Sequence, residues 1–258
     1  MLISILLAGC TSSQIAGMPE TDAVASPTTP EPTTKPVPIS YATDTYISIR
    51  GEKYYVEECS WATTLTLSGL NLTSTDIEPL KYLTTLTRLD LSHNQISDIS
   101  ALYGLINLRH LYLSQNQIND ISPLCGLIDL RHLDLSQNQI SDISPLRKLT
   151  NLNVLYLSYN QISDISSLAG LSKIRILSLA VNQISDISPL AEIQTFTWLF
   201  LDANLISDVT PIYKLSFQGS NTVRPELSLH ANPISEADKI KLRSYFKSIH
   251  SENLLVID

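Results

Sequence analysis

Asn94, Asn116, Asn138, Asn160, Asn182 and Asn204 stand 22 residues apart, a seventh, Asn232, follows after 28, and each closes the same Leu-x-Leu-x-x-Asn pattern. A fixed period of this length rules out an ordinary globule. It marks a solenoid, in which one structural unit is stacked along an axis and touches only its neighbours.

The unit beginning at Leu89 shows why the period holds. Leu89 and Leu91 alternate like one face of a short strand, whereas Ile96, Ile99, Leu102, Leu105 and Leu108 recur at turn-like spacings through a return segment. All seven side chains are expected to point inward. One unit cannot offset the entropy of ordering its own backbone, so the array folds cooperatively and needs a cap at each end.

Two further columns follow the period. The Asn residues read as scaffold: an amide side chain buried at the strand exit can satisfy loop N–H and C=O groups that the dry interior would orphan. Asp98, Asp120, Asp142, Asp164, Asp186 and Asp208 read as turn caps that accept backbone N–H groups. A cation stripe is the weaker reading, because each site offers one carboxylate rather than a cage of oxygens.

Units such as Leu133-x-Leu135-x-x-Asn138-x-Ile140-Ser141-Asp142-Ile143-Ser144-Pro145-Leu146 resemble the 22-residue leucine-rich repeats of bacterial internalin-type surface proteins, over about residues 63–232. The resemblance implies an α/β repeat solenoid: a right-handed leucine-rich repeat horseshoe with a parallel concave β-sheet, 3-10 turns on the convex side, and a role in binding other proteins. Phosphatase-regulating intracellular proteins share this repeat length, so the N-terminus has to arbitrate the compartment.

Residues 1–10 form an apolar run ending in Leu7-Ala8-Gly9-Cys10, which resembles the lipobox of bacterial lipoproteins and implies cleavage before Cys10 and lipidation of its thiol. No Lys or Arg precedes the run, and the other reading is an arbitrary apolar start of a cytosolic chain. Residues 11–40 hold six of the thirteen prolines among Ser, Thr and Ala, the composition of a disordered tether. The expected localisation is extracytoplasmic, with the protein lipid-anchored to a bacterial membrane or cell surface.

The folded part is expected from residue 41, with an N-terminal cap over 41–62, repeats over 63–232 and a C-terminal cap over 233–258. Tyr46 to Val56 reads as two strands around a Gly-containing turn, a hairpin suited to covering the first coil. Ser235-Glu236-Ala237-Asp238 reads as a helix start, with Ile240, Leu242, Tyr245 and Phe246 available to bury against the last coil. The break in period between Ile212 and Leu227 is expected to protrude as a loop. Cys59 and Cys125 fall about three coils apart, beyond disulfide reach, and are expected to be buried or partly buried thiols. A net charge of −8 argues against nucleic acid as a partner.

Function is sought on the outward positions of the concave strands. The column before each first strand Leu reads Arg88, His110, His132, Val154, Ile176, Trp198, and the column between the two Leu residues reads Asp90, Tyr112, Asp134, Tyr156, Ser178, Phe200. Two steps further lie His93, Gln115, Gln137, Tyr159, Val181 and Ala203. The first half of this face is polar and the later half apolar and aromatic. Trp198, Phe200, Tyr156 and Tyr159 are expected to anchor a partner and Arg88, Asp90 and Asp134 to set its register, with His110, Tyr112, His132, Val154 and Ile176 completing the partner-binding face. The competing reading has the insert or the C-terminal cap folding over the aromatics.

His110 and His132 occupy equivalent positions in adjacent coils, with rings expected about 5 Å apart. A third ligand is not evident, so no metal is assigned and the pair reads as a pH-responsive element between pH 5 and 7. With no nucleophile elbow, phosphate loop or His-Glu-x-x-His motif, and an open face that admits water, no catalytic residue and no cofactor are assigned. The reading is a non-enzymatic surface-anchored binding protein for another protein or a glycan. The alternatives are an intracellular regulator or scaffold, or a structural spacer.

Overall fold

The computed structural model describes residues 46–49, 52–55, 62–193, 195–219, 225–248 and 254–257. Nine parallel strands form one sheet in sequence order: β3 (Thr64–Thr66), β4 (Arg88–Asp90), β5 (His110–Tyr112), β6 (His132–Asp134), β7 (Val154–Tyr156), β8 (Ile176–Ser178), β9 (Trp198–Phe200), β10 (Glu226–Ser228) and β11 (Leu255–Val256). Each strand pairs with the next in unshifted register, so Leu65, Leu89, Leu111, Leu133, Leu155, Leu177, Leu199 and Leu227 form one continuous row.

Between strands the chain returns through single 3-10 turns, such as Ser100–Leu102, Ser144–Lys148 and Ser188–Glu192. The reason lies in the spacing of Ile99, Leu102, Leu105 and Leu108. A 3-10 helix has three residues per turn, so residues three apart eclipse on one face. Successive bonds from Leu102, Leu105 and Leu108 N–H to the carbonyls of Ile99, Leu102 and Leu105 hold that geometry at 2.9–3.1 Å. All four side chains, with Leu89, Leu91 and Ile96, are fully buried. Where a Pro occurs it takes the first turn, where its missing N–H costs no helical bond.

Adjacent coils are joined by the Asn side chains. Asn138 Nδ2 donates to the carbonyls of Leu135 in its own coil and Leu113 in the preceding one, both at 3.0 Å, and its Oδ1 accepts the Ile118 N–H at 3.0 Å. Asn94, Asn116, Asn160, Asn182, Asn204 and Asn232 repeat the arrangement. Among the described residues no buried side-chain polar atom lacks a partner. The chain turns into each Asn through a left-handed residue: His93, Gln115, Gln137, Tyr159, Val181 and Ala203 all have φ between 50° and 58°. At the other end of each loop, Asp98, Asp120, Asp142, Asp164, Asp186 and Asp208 each accept at 2.8 Å the N–H two residues on, which opens the next turn.

At the N-terminal end β1 (Tyr46–Ile49) and β2 (Glu52–Tyr55) form an antiparallel hairpin, and β1 lies beside the first 3-10 turn, Glu78–Tyr82. At the other end α1 (Glu236–Ser248) starts at Ser235, whose Oγ accepts the Asp238 N–H at 3.1 Å and donates to the Asp238 carboxylate at 2.6 Å. Leu242 and Phe246 of α1 are buried, and the chain then adds β11 to the sheet.

Three expectations are corrected. Ile240 is 59% exposed, because the face of α1 that meets the coil is set by Leu242 and Phe246, and Ile240 lies two residues, about 200° around the helix, from Leu242. Cys125 is exposed, because it caps the turn Ser122–Leu124 on the convex surface rather than pointing inward. The start of the insert does not protrude. Phe217 forms a parallel bridge with Phe196, Gln218 N–H donates to the Phe196 carbonyl at 2.8 Å, and the Phe217 ring stands between those of Phe196 and Phe246 at 6.2 and 6.3 Å. Cys10, Cys59, the lipobox and residues 11–40 lie outside the described residues.

Candidate recognition face

The outward side chains of the three-residue strands stand in two rows, set by the two-residue alternation of the strand and the unshifted register. Arg88, His110, His132, Val154, Ile176, Trp198 and Glu226 are successive neighbours in the first row, and Asp90, Tyr112, Asp134, Tyr156, Ser178, Phe200 and Ser228 in the second. Trp198 and Phe200 are partly buried, with β10 and β11 continuing the sheet beside them.

The long side chains of the first half zigzag between the rows. The Arg88 guanidinium lies 4.6 Å from the Tyr112 ring centre, the Tyr112 ring 4.8 Å from that of His132, and the His132 ring 5.7 Å from that of Tyr156 in an edge-on arrangement. His110 and His132 are 6.2 Å apart, further than the expected 5 Å, because His132 leans towards the tyrosines. Tyr156 therefore belongs to this stack as much as to the apolar end.

The carboxylates are partly committed within their own coils. Asp90 accepts both the N–H and the hydroxyl of Ser92, at 3.0 and 2.6 Å, and Asp134 accepts the Ser136 N–H at 3.0 Å. The aromatic end is contiguous in one row and interrupted in the other. Val154, Ile176 and Trp198 are direct neighbours, whereas Ser178 separates Tyr156 from Phe200. Tyr159 and Val181, 56% and 37% exposed, flank the rows at their left-handed positions.

Electrostatics follow burial. Desolvation lowers the pKa of His132 below its ordinary 6.5, helped by His110 and Arg88 and opposed by Asp134. Burial likewise lowers His110, together with Arg88, Arg131 and Arg109. Burial and the nearby Asp134 raise the Tyr156 phenol. Both imidazoles therefore give up their proton more readily than a free one. No three His, Cys, Asp or Glu side chains among the described residues are placed to hold a metal ion.

Reading strand alternation alone missed Arg131, Asn151, Asn153 and Lys173, which border the face where the chain enters the sheet. The available signal was the column one place before the strands, which reads Arg109, Arg131, Asn153, Arg175 at the 22-residue period.

Models of leucine-rich repeats match residues 62–118, 106–148 and 150–192. No curated protein matches the sequence significantly. Among solved structures, internalin C2 of Listeria monocytogenes is 32% identical, with 81% of this chain and 86% of that one covered and a TM-score of 0.68. The internalin inlF of the same organism is 30% identical over 81% of this chain and 69% of its own, with a TM-score of 0.56. A leucine-rich repeat protein of Leptospira interrogans is 24% identical over 78% and 50%, with a TM-score of 0.61, a likeness of fold alone.

Proposed function

Because the chain belongs to the internalin-type leucine-rich repeat proteins, whose repeats generally serve protein recognition, we propose that it is a non-enzymatic binding protein that receives another protein on its concave sheet. The observation that carries the proposal is the row Val154–Ile176–Trp198, with Phe200 beside it: large apolar side chains held side by side on the outward face of the sheet and only partly buried. Such a patch, bordered by polar groups, suits a recognition surface better than a spacer, which has no use for it. Arg88, Asp90, His110, Tyr112, His132 and Asp134 supply the polar border that orients the partner.

The same reading places the protein outside the cytoplasm. Cleavage before Cys10 and acylation of its thiol would anchor it, and residues 11–40 would hold the repeat domain away from the membrane. No helix among the described residues is long and apolar enough to cross a membrane. Intact mass of the membrane fraction tests the anchor, and an unmodified Cys10 in a chain that keeps its N-terminus would move the solenoid to the intracellular regulator reading.

The recognition face is tested by affinity capture with three forms of the protein: the wild type, Trp198→Ala with Phe200→Ala, and a convex control, Tyr103→Ser with Ile128→Ser. A protein retained by the wild type and the convex control but lost by the concave variant supports the assignment. Equal retention by all three rejects it. Glycan array binding with the same dependence would replace the protein ligand by a glycan.

A further inference from the structure

Along the edge where the chain enters the sheet, side chains of four consecutive coils border an open groove of about 430 Å³. It is lined by His110, Arg131, His132, Asn153, Val154 and Lys173, with Asn151 at its margin. These residues are spread over more than sixty positions of sequence and meet because the coils repeat in register.

The groove wall is held in place by its own hydrogen bonds. Asn151 Nδ2 donates to the Ile128 carbonyl at 3.0 Å, Asn153 Nδ2 donates to the Lys173 carbonyl at 3.1 Å, and the Lys173 ammonium donates to Asn151 Oδ1 at 2.6 Å. The cations are not neutralised. In a chain of net charge −8, no carboxylate among the described residues lies within 4.0 Å of the side-chain nitrogens of Arg109, Arg131 or Lys173, and the two ion pairs described are both on α1. The acidic residues nearest in sequence are Asp129, which does not line the groove, and Asp134, already engaged by Ser136.

A planar guanidinium and an ammonium line one groove beside the apolar Val154, a set of groups whose chemistry suits carboxylates. Arg supplies a forked pair of donors, Lys a point charge, and the wall strengthens both by excluding water from one side. Val154 also begins the apolar row that runs on through Ile176 to Trp198, so an extended ligand in the groove continues directly onto that row. A polypeptide that is acidic at one end and apolar beyond it matches both halves.

We propose that this groove receives an acidic peptide segment, with Arg131 and Lys173 pairing to its Asp or Glu carboxylates. The location of the rest of the partner rests on the concave-face reading above, whereas the chemistry of the groove does not.

The test is fluorescence polarisation of a labelled peptide of alternating Glu and Gly residues, titrated with the folded protein at low and at physiological salt. Saturable one-to-one binding is expected, weakening with salt. Arg131→Gln with Lys173→Gln is expected to weaken it by about tenfold or more, the loss of charge-assisted hydrogen bonds. Arg131→Lys with Lys173→Arg should retain most of it. Arg147→Gln with Lys148→Gln removes the same charge from the convex side and should leave binding within about twofold if the contact is local rather than a long-range field. Unchanged unfolding midpoints establish that each variant is folded.

Absence of saturable binding, or an equal loss in the convex variant, overturns the proposal. So does a sulfated oligosaccharide that displaces the peptide and binds more tightly with the same dependence on Arg131 and Lys173, which would reassign the groove to an anionic glycan. Trp198→Ala with Phe200→Ala is expected to leave the peptide bound. A failed peptide titration alongside a capture experiment that still depends on Trp198 and Phe200 therefore rejects the groove and keeps the recognition face. The reverse pattern rejects the face and keeps the groove.

Discussion

The ring of His132 packs against that of Tyr112 at 4.8 Å between centres, tilted by 44°, although the two residues belong to different coils and different rows of the sheet. This contact, with Tyr156 on the other side, is what half-buries the imidazole and lowers its pKa below 6.5. The unfolded chain therefore binds a proton more readily than the folded one. Folding stability is unaffected by His132 above pH 6.5 and falls as the pH drops below it, until the folded-state pKa is passed. Denaturant midpoints measured from pH 7.5 to 4.5 should show this fall, and His132→Gln should reduce it. A pH profile unchanged by the substitution would falsify the linkage.

Asn138→Ala should cost about 1–3 kcal/mol, because it takes the acceptor from the buried Ile118 N–H and leaves the Leu113 and Leu135 carbonyls with only the Asn116 and Asn160 amides as side-chain donors. Asn107→Ala, which removes one exposed bond to the Thr84 carbonyl, should cost less than about 0.5 kcal/mol. Equilibrium urea unfolding of the two variants separates a stapling amide from a decorative one, and similar losses in both would count against the distinction.

Val181 is a β-branched residue held at φ 57° on the protein surface. The left-handed conformation costs an L-residue about 1–2 kcal/mol, and Asn tolerates it best after Gly. Val181→Asn should therefore raise the thermal midpoint, corresponding to about 1 kcal/mol of added stability. If Val181 also contributes to the recognition face, the same variant binds its partner less well. A lowered midpoint would show that the isopropyl group makes packing contacts worth more than the strain.

Phe246 anchors α1 to the body through the Phe217 ring, 6.3 Å away between centres. Phe246→Ala should cost about 3–5 kcal/mol locally. Because coils in a solenoid depend mainly on their neighbours, the damage should concentrate at the C-terminal end. Hydrogen exchange is expected to show early loss of protection in α1 and β10 (Glu226–Ser228) while β4 to β7 stay protected. Uniform loss across all strands would mean that the cap governs the whole array.

The coil could be written down from residue spacing alone. Leu89, Leu91, Ile96, Ile99, Leu102, Leu105 and Leu108 all point inward because their burial is settled within 22 residues, by strand alternation and by three-residue turns acting on a fixed pattern. The rows of outward residues follow from the same rule, which is why the neighbours Val154, Ile176 and Trp198 were legible before any coordinates.

What spacing could not supply is how neighbouring coils use the space between those rows. The Arg88–Tyr112–His132–Tyr156 stack, the exposure of Ile240 and Cys125, and the docking of Phe217 between Phe196 and Phe246 all depend on side-chain rotamers and on partners 20 or more residues away, or on which face a helix turns to the body. The same holds for the basic groove, whose lining side chains project from positions flanking the strands, where no two-residue alternation dictates their direction. Periodicity specifies inside and outside because water enforces that choice at every repeat. It leaves open which outward groups touch, because there many arrangements have similar energy until the lateral packing of the coils selects one.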